Sequence, residues 1–483
     1  MITHKQLSLA EIYSDCETFF KYDKPKFLTL LENTINLEEF IPSSFINKFY
    51  SRTGRPRKYP LHSMIWSLIL QRIFSIPTDS LLIIFLRMSK ELRDFCGFTK
   101  VPDASKFTHF KQDFILDLQN MFNELVDITE PICQKIDSDK AAMTIFDTSG
   151  VEAFVAENNP KYSNKIIKQI KAYKKINNLP DSFNPYSVAY GSMPKSAASN
   201  SEIRLMYING HFCYSYKFGI VTNGLGIVRH LSLYNKDFIS SHPEITDVQT
   251  SNSPDNDKSL HDTKVLIPVL KDLFNKHPLI RPKTFLGDAA FDSCLIYDSL
   301  LTDLKFSEVY IPLNKRSQVK NKDYTINEDG IPCCPNNSSL PLKYEGASKR
   351  QNGLIRYKFV CPKVKWIKNS SGKYKRKCFC ENPCTSSSCG RMIHLYPQKN
   401  LRTYPGTLRG TEHWDKTYGT RIVVEKTINH FKDSFCVANR KTQNEKTIHS
   451  DLLLAGITQL LTVILADKIH KHQYIRSLKS LVA

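Results

Sequence analysis

The stretch YGTRIVVEKTINHFK, residues 418–432, sets four polar side chains at a helical spacing. Tyr418, Arg421, Glu425 and Lys432 stand at offsets 0, +3, +7 and +14. At about 3.6 residues per turn the spacing predicts one helix carrying all four on one face. Ile422, Val423, Ile428 and Phe431 fall largely on the opposite side and would bury that side against a core. A carboxylate flanked by two cations and a phenol suits a divalent metal beside phosphates. A solvated helix laced with i,i+4 ion pairs has the same spacing, so the stretch gains meaning only from partners elsewhere.

Two partners are legible: TIFDTSG at 144–150 and TFLGDAAFDS at 284–293. In each, a short apolar, β-prone run ends in an aspartate, Asp147 and Asp288. An acidic residue at the end of a buried strand lies at the rim of a sheet, where α/β sites form. Two strand-borne aspartates and one helix-borne glutamate can hold two Mg²⁺ ions about 4 Å apart for in-line phosphoryl displacement.

Together these residues resemble the DDE transposases of bacterial insertion sequences, in the branch with the Y-x2-R-x3-E-x6-K signature. Tyr418, Arg421, Glu425 and Lys432 match that signature without a gap. Asp288-Ala289-Ala290-Phe291 is similar to the family's second-aspartate motif, D-x-(G/A)-(Y/F), and Asp147 to its first. The resemblance runs from roughly residue 40 to the C-terminus. It implies a ribonuclease-H-like catalytic fold in which Asp147, Asp288 and Glu425 hold two Mg²⁺ (or Mn²⁺) ions. It implies cleavage of DNA at element ends and transfer of the freed 3′-OH into target DNA. Tyr418, Arg421 and Lys432 would grip phosphates near the cleaved end, and a homodimer would bring two ends together. A nuclease or integrase that cuts without transposing needs the same carboxylates, and a domesticated, non-catalytic DNA-binding copy is the other alternative. Asp292 and Asp415 are rival carboxylates; Asp288 is favoured because it ends the strand, and Glu425 because it lies within the spaced motif.

Composition agrees with a polyanionic partner. The 483 residues carry a net charge of +20, and 41% are hydrophobic, enough for packed cores. A chain this basic points to nucleic acid first and a membrane surface second. No uninterrupted apolar run reaches the roughly 18 residues a span needs, and LLLAGITQLLTVILA at 452–466 reads as a buried helix. MITHKQLSLAEIYSD at the start lacks the pattern of a signal peptide. The expectation is a cytoplasmic, nucleoid-associated protein away from membranes.

The expected fold class is α/β: a mixed sheet with flanking helices, preceded by helices and interrupted by a Cys-rich, β-rich insertion. Residues 1–135 show helical periodicity and would bind DNA ends, as a helix-turn-helix reader or as a plain bundle. The basic tract SRTGRPRKYP at 51–60, with Arg55, Arg57 and Lys58, is either a minor-groove contact or a solvated loop. Asp103 should cap a helix carrying Lys106, His109 and Lys111. Residues 140–320 and 411–483 would form the catalytic domain. Within it, 156–205 reads as a polar, basic insertion facing phosphates or solvent, Asn223-Gly224 as the turn of a hairpin, and Asp262 as a helix cap. Residues 321–410 form the insertion. Seven of the 13 cysteines fall between Cys333 and Cys389. In a reducing compartment a cluster suggests metal more than disulfides. Cys334, Cys361, Cys380 and Cys384 are the candidate Zn²⁺ ligands, with reduced, metal-free cysteines the alternative. Lys363, Lys365, Lys368, Lys373, Lys375, Arg376 and Lys377, interleaved with Trp366 and Tyr374, suit nucleic-acid contact.

Overall fold

The structure, a computed structural model, describes residues 26–51, 54–208, 211–245, 261–314, 324–350, 353–368, 372–439 and 441–478. The first 25 residues, with Cys16, lie outside the described residues.

The chain opens with helices α1 (Lys26–Thr34), α2 (Ser43–Phe49), α3 (Leu61–Ile73), α4 (Asp79–Met88), α5 (Lys90–Phe95), α6 (Ala104–Asp113) and α7 (Ile115–Ile136). Pro60 precedes α3, as expected of a proline at a helix start. Asp103 stands at the cap position of α6 but makes no capping bond. It faces Arg87 at 3.6 Å instead.

Strand β1 (Met143–Glu152) begins the sheet. Two helices follow, α8 (Pro160–Ile176) and α9 (Pro185–Ser192), so the basic stretch expected as an insertion is largely helical. No residue of α8 is buried, which leaves its lysines on a solvated rod. Strands β2 (Ser196–Ala197), β3 (Asn200–Ile208), β4 (His211–Thr222) and β5 (Val228–Leu233) come next. After α10 (Lys236–Ser241) and α11 (Asp262–Lys276) come β6 (Thr284–Leu286), α12 (Cys294–Asp298) and β7 (Glu308–Tyr310).

One edge of β4 pairs antiparallel with β1, and its other edge is shared by β3 and β5. On the far side of β1, β6 and then β7 run parallel. The order β5-β4-β1-β6-β7, antiparallel on one side of β1 and parallel on the other, is the expected ribonuclease-H-like sheet. The β4–β5 connection is longer than a two-residue hairpin. Asn223 accepts from the backbone of Leu225 and Ile227, and the left-handed residue is Gly226, at φ 77°. Gly224 is needed for another reason: a Cβ there would meet the Lys140 carbonyl oxygen at 2.9 Å.

Among the described residues the insertion holds eight short strands in three small sheets. The strands are β8 (Thr325–Ile326), β9 (Pro332–Cys334), β10 (Asn337–Pro341), β11 (Lys343–Lys349), β12 (Ile355–Val360), β13 (Val364–Lys368), β14 (Tyr374–Cys378) and β15 (Met392–Leu395). Leu342, Phe359, Cys361, Ile393, Leu395 and Tyr404 form its own core.

The chain then returns through α13 (Glu412–Gly419) and α14 (Ile422–Asn429) to α15 (Glu445–Lys468). From Leu452 to Ala466 helix α15 has no charged residue and is buried all round; it packs on α3, α6, α7 and β5. It is long and apolar enough to cross a membrane, but 94% of that window is covered by the rest of the chain. Gly456 lets α7 approach, since a Cβ there would meet the Phe122 ring at 2.6 Å. One continuous core joins the N-terminal helices, the sheet and α15.

A buried charge knot fastens these parts. Asp451 of α15 binds Arg72 of α3 and, at 3.2 Å, Lys111 of α6. Lys111 also reaches Asp79 of α4 at 2.8 Å. Lys111, on the helix expected to carry Lys106 and His109, is thus an interior strut. Removing one partner of a buried ion pair strands the other charge at a cost of about 3–5 kcal/mol. Asp451→Ala should destabilise the chain on that order in urea denaturation, with α3 and α6 losing amide-exchange protection first.

Candidate active site

The parallel register between β1 and β6 sets the first two carboxylates side by side. Ile145 pairs with Leu286, and an aspartate stands two residues further on in each segment. Asp288 lies just past the end of β6, as expected, but Asp147 lies within β1, which runs on to Glu152 through its pairing with β4 rather than ending at the aspartate. Asp288 caps a short 3₁₀ turn, Ala289–Phe291, by accepting from the Ala290 amide through Oδ1. Its Oδ2 is left to face the site.

Glu425 comes from α14, but not on one long helix. Residues 418–432 divide into the end of α13, a junction at Thr420–Arg421, α14, and a π-helical turn at His430–Ser434. At the junction the amides of Thr420, Arg421, Val423 and Val424 bond three residues back rather than four. The winding tightens there and widens again in the π turn, so 3.6-residue periodicity does not carry through. Ile422, expected to be buried, is exposed, whereas Val423, Ile428 and Phe431 are buried.

Arg421 sits at this junction, and its guanidinium meets all three carboxylates. Nη1 lies 2.5 Å from Glu425 Oε1. Nη2 lies 3.3 Å from Asp147 Oδ2 and 3.8 Å from Asp288 Oδ2. Those two oxygens therefore cannot be farther apart than the sum of the two distances. The Nε of Arg421 is buried without a hydrogen-bond partner among the described residues.

Three carboxylates against one guanidinium leave the pocket net negative within a strongly basic chain. Burial, helped by neighbouring Asp288 and Asp262, pushes the Asp147 carboxyl up to about 6 although Arg421 and the Thr148 amide pull the other way. Burial alone would lower Arg421, but Asp147 foremost, with Tyr418, Asp288 and Glu425, holds it above its ordinary value. The donors are hard carboxylate oxygens, the set that Mg²⁺ or Mn²⁺ takes, and their uncompensated charge fits a divalent cation.

The other signature residues frame this pocket. Tyr418 stacks on Trp414, ring centres 4.8 Å apart, and burial raises its phenol. Lys432 is buried, its ammonium 3.3 Å from Ser149 Oγ on β1, and burial lowers it despite Asp433, Cys213 and Glu152 nearby. Asp262 was missed as a site residue. His261, not Asp262, caps α11. Asp262 accepts from Thr148 at 2.8 Å and pairs with Lys217 at 2.6 Å, beside Asp147. The rival Asp292 is fully engaged elsewhere: Arg402 clamps both its oxygens and the Asn314 amide donates to it.

The remaining predicted residues lie outside the pocket. Arg55, Lys58 and Lys106 are exposed. Arg57 lies over the Phe49 and Phe114 rings at 5.2 Å and bonds the Phe49 carbonyl, which ties the basic tract down. In the insertion, burial and then the hydrogen-bonded Cys334 push the Cys384 thiol up to about 11. Cys361, raised mainly by burial, lies close enough to Cys378, Cys380 and Cys334 to feel them. Among the described residues, no three of these thiols lie mutually within 4.8 Å. The β13–β14 hairpin exposes Trp366 and Tyr374 among its lysines, with Arg376 4.7 Å above the Trp366 ring.

Residues 16–113 match the transposase domain DUF772. That span covers α1 to α6. No curated protein matches the chain. A cryo-EM structure of the piggyBac transposase synaptic complex with hairpin DNA aligns over 94% of this chain and 82% of that one, at 13% identity and a TM-score of 0.24. That superposition is too loose to place any residue.

The raised Asp147 acidity has a stability consequence. Its folded value, about 6, exceeds the unfolded value near 4, so this group's contribution favours folding below about 4 and is lost as pH rises through 6. Each unit is worth about 1.4 kcal/mol, so ionised Asp147 costs on the order of 3 kcal/mol. Asp147→Asn should therefore raise Tm at pH 8 in the absence of divalent ions, and the gain should vanish by pH 4. Scanning calorimetry at the two pH values checks this.

Proposed function

We propose that this chain is a DDE-type transposase that cleaves DNA at the ends of its element and joins the 3′-OH to target DNA. The observation that carries the reading is the meeting of Asp147, Asp288 and Glu425 on the Arg421 guanidinium. Asp147 and Asp288 from the sheet and Glu425 from a helix bring three carboxylates to one guanidinium, a net negative oxygen set suited to divalent cations. The transposase domain over residues 16–113 supports a DNA-processing role, and the net charge of +20 supports a DNA partner.

In this reading Asp147, Asp288 and Glu425 hold Mg²⁺ or Mn²⁺. The bound ions supply an acidified water and offset charge building on the phosphodiester. The protein's own share is positioning and charge. Arg421 has a planar fork able to move from carboxylates to a phosphate, and its unpartnered Nε gives it a further donor. Lys432 offers a point charge beside Ser149, and Tyr418, braced by Trp414, offers a phenol donor at the same rim. No covalent protein intermediate is required, so no nucleophilic serine or tyrosine is assigned. The N-terminal helices, with Arg55, Arg57, Lys58 and Lys106, would hold element ends, and the β13–β14 hairpin would contact DNA through stacking and lysines. Zinc on Cys334, Cys361, Cys380 and Cys384 would staple the insertion only by drawing these thiols together around the touching pair Cys334 and Cys384. The working unit would be a cytoplasmic, nucleoid-associated homodimer bridging two ends.

Asp147→Ala, Asp288→Ala and Glu425→Ala should each abolish Mg²⁺-dependent cleavage of DNA carrying the inverted repeats that flank the gene, while gel-shift binding persists. Asp292→Asn should lose stability instead, because it uncouples Arg402. Robust cleavage by any of the three alanine variants removes that residue from the site. Cleavage without strand-transfer products would reduce the reading to a nuclease.

A further inference from the structure

We infer that the outer end of β1 and the start of β4 form a separate transition-metal site, of the zinc class, from Glu152, His211 and Cys213. Their ligand atoms all lie within 4.8 Å of one another, and among the described residues this is the one such group of three. His211 Nε2 is 3.7 Å from Glu152 Oε2.

The sheet itself builds the cluster. Glu152 pairs with Ser215 across the β1–β4 ladder. Alternate residues of a strand share a face, so His211 and Cys213 stand on the face of Ser215 and hence beside Glu152. Cys213 is buried, while Glu152 and His211 are exposed, which gives a floor and an open approach from solvent. Tetrahedral zinc, with bonds of about 2.0–2.3 Å, needs neighbouring ligand atoms roughly 3.3–3.8 Å apart. A contraction of about 1 Å in exposed side chains reaches that geometry.

The donors are one sulfur, one imidazole nitrogen and one carboxylate oxygen. That mixture selects Zn²⁺ or Co²⁺ over Mg²⁺, in contrast to the all-carboxylate pocket around Asp147 on the same strand. Three protein ligands leave a fourth position for water. A metal there would clamp the strand bearing Asp147 and Ser149 to the β3–β4 hairpin, and would stabilise the folded chain by mass action.

The test uses the full chain, stripped of metal, equilibrated with Zn²⁺ in excess over two equivalents per chain under excess Mg²⁺, which keeps the carboxylate pocket from competing, and then freed of unbound zinc by gel filtration. Zinc per chain is counted by mass spectrometry for wild type, Glu152→Gln, His211→Ala and Cys213→Ser. Each variant should lose one zinc equivalent or bind it at least about tenfold more weakly, and Cys213→Ser should lose part of the thiolate-to-metal absorption with Co²⁺. Glu152 and His211 are exposed, so these two variants should keep native circular dichroism. Cys334→Ser and Cys384→Ser should leave the equivalent in place, which separates it from the insertion. Unchanged zinc content in natively folded Glu152→Gln and His211→Ala overturns the site. The count does not depend on DNA cleavage, so it stands or falls apart from the transposase reading.

Discussion

The parallel ladder between β1 and β6 is the constraint on which the pocket depends. With Ile145 opposite Leu286, β6 ends while β1 runs on to Glu152, and the residues two beyond that pair, Asp147 and Asp288, fall side by side. Two carboxylates held that close repel, and partial burial adds a desolvation cost. The fold answers with one guanidinium rather than several. Burial of Asp147 first, and then the nearby Asp288 and Asp262, outweigh the pull of Arg421 and the Thr148 amide, so Asp147 stands above its ordinary value. The pocket is therefore poised toward cations by its backbone register, before any ligand enters.

The rim is only as firm as what backs it. β5 and α7 pack on α15, and the Asp451 knot ties α15 to α3, α4 and α6. The segment matching a transposase domain is thereby fixed to the helix behind the sheet. Buried ion pairs add little net stability over apolar packing, but they penalise every arrangement in which the charges fail to meet. Here a shifted docking of the N-terminal helices would strand Arg72, Lys111 and Asp451 without their partners.

What the sequence made legible was local and periodic. The apolar runs before Asp147 and Asp288, the spacing of Tyr418, Arg421 and Glu425, and the all-apolar face of α15 each carry their meaning in consecutive residues. What stayed hidden depends on distant partners or on departures from ideal winding. Lys111 looks like a surface lysine because its acceptor Asp451 lies 340 positions away. Asp262 looks like a cap because its partners, Thr148 and Lys217, sit on other strands. The tight junction at Thr420 and the π turn at His430 leave no mark that periodicity detects. The cysteines show the converse: a dense cluster in sequence, of which the structure brings Cys334 and Cys384 into contact without gathering all four predicted ligands.

The junction at Thr420–Arg421 explains why an arginine serves where a lysine would not. On an ideal helix, residues 421 and 425 stack one turn apart and face the same neighbour. The three-residue hydrogen bonds at the junction place Arg421 at the mouth of α14 rather than within it. From there one terminal nitrogen reaches Glu425 along the helix and the other reaches both strand aspartates. A lysine ammonium is a single point charge on a flexible stem and has no rigid fork with which to span the helix and two strands at once. The planar fork thus couples the helix-borne carboxylate to the strand-borne pair, and any group that draws Arg421 away frees all three carboxylates together.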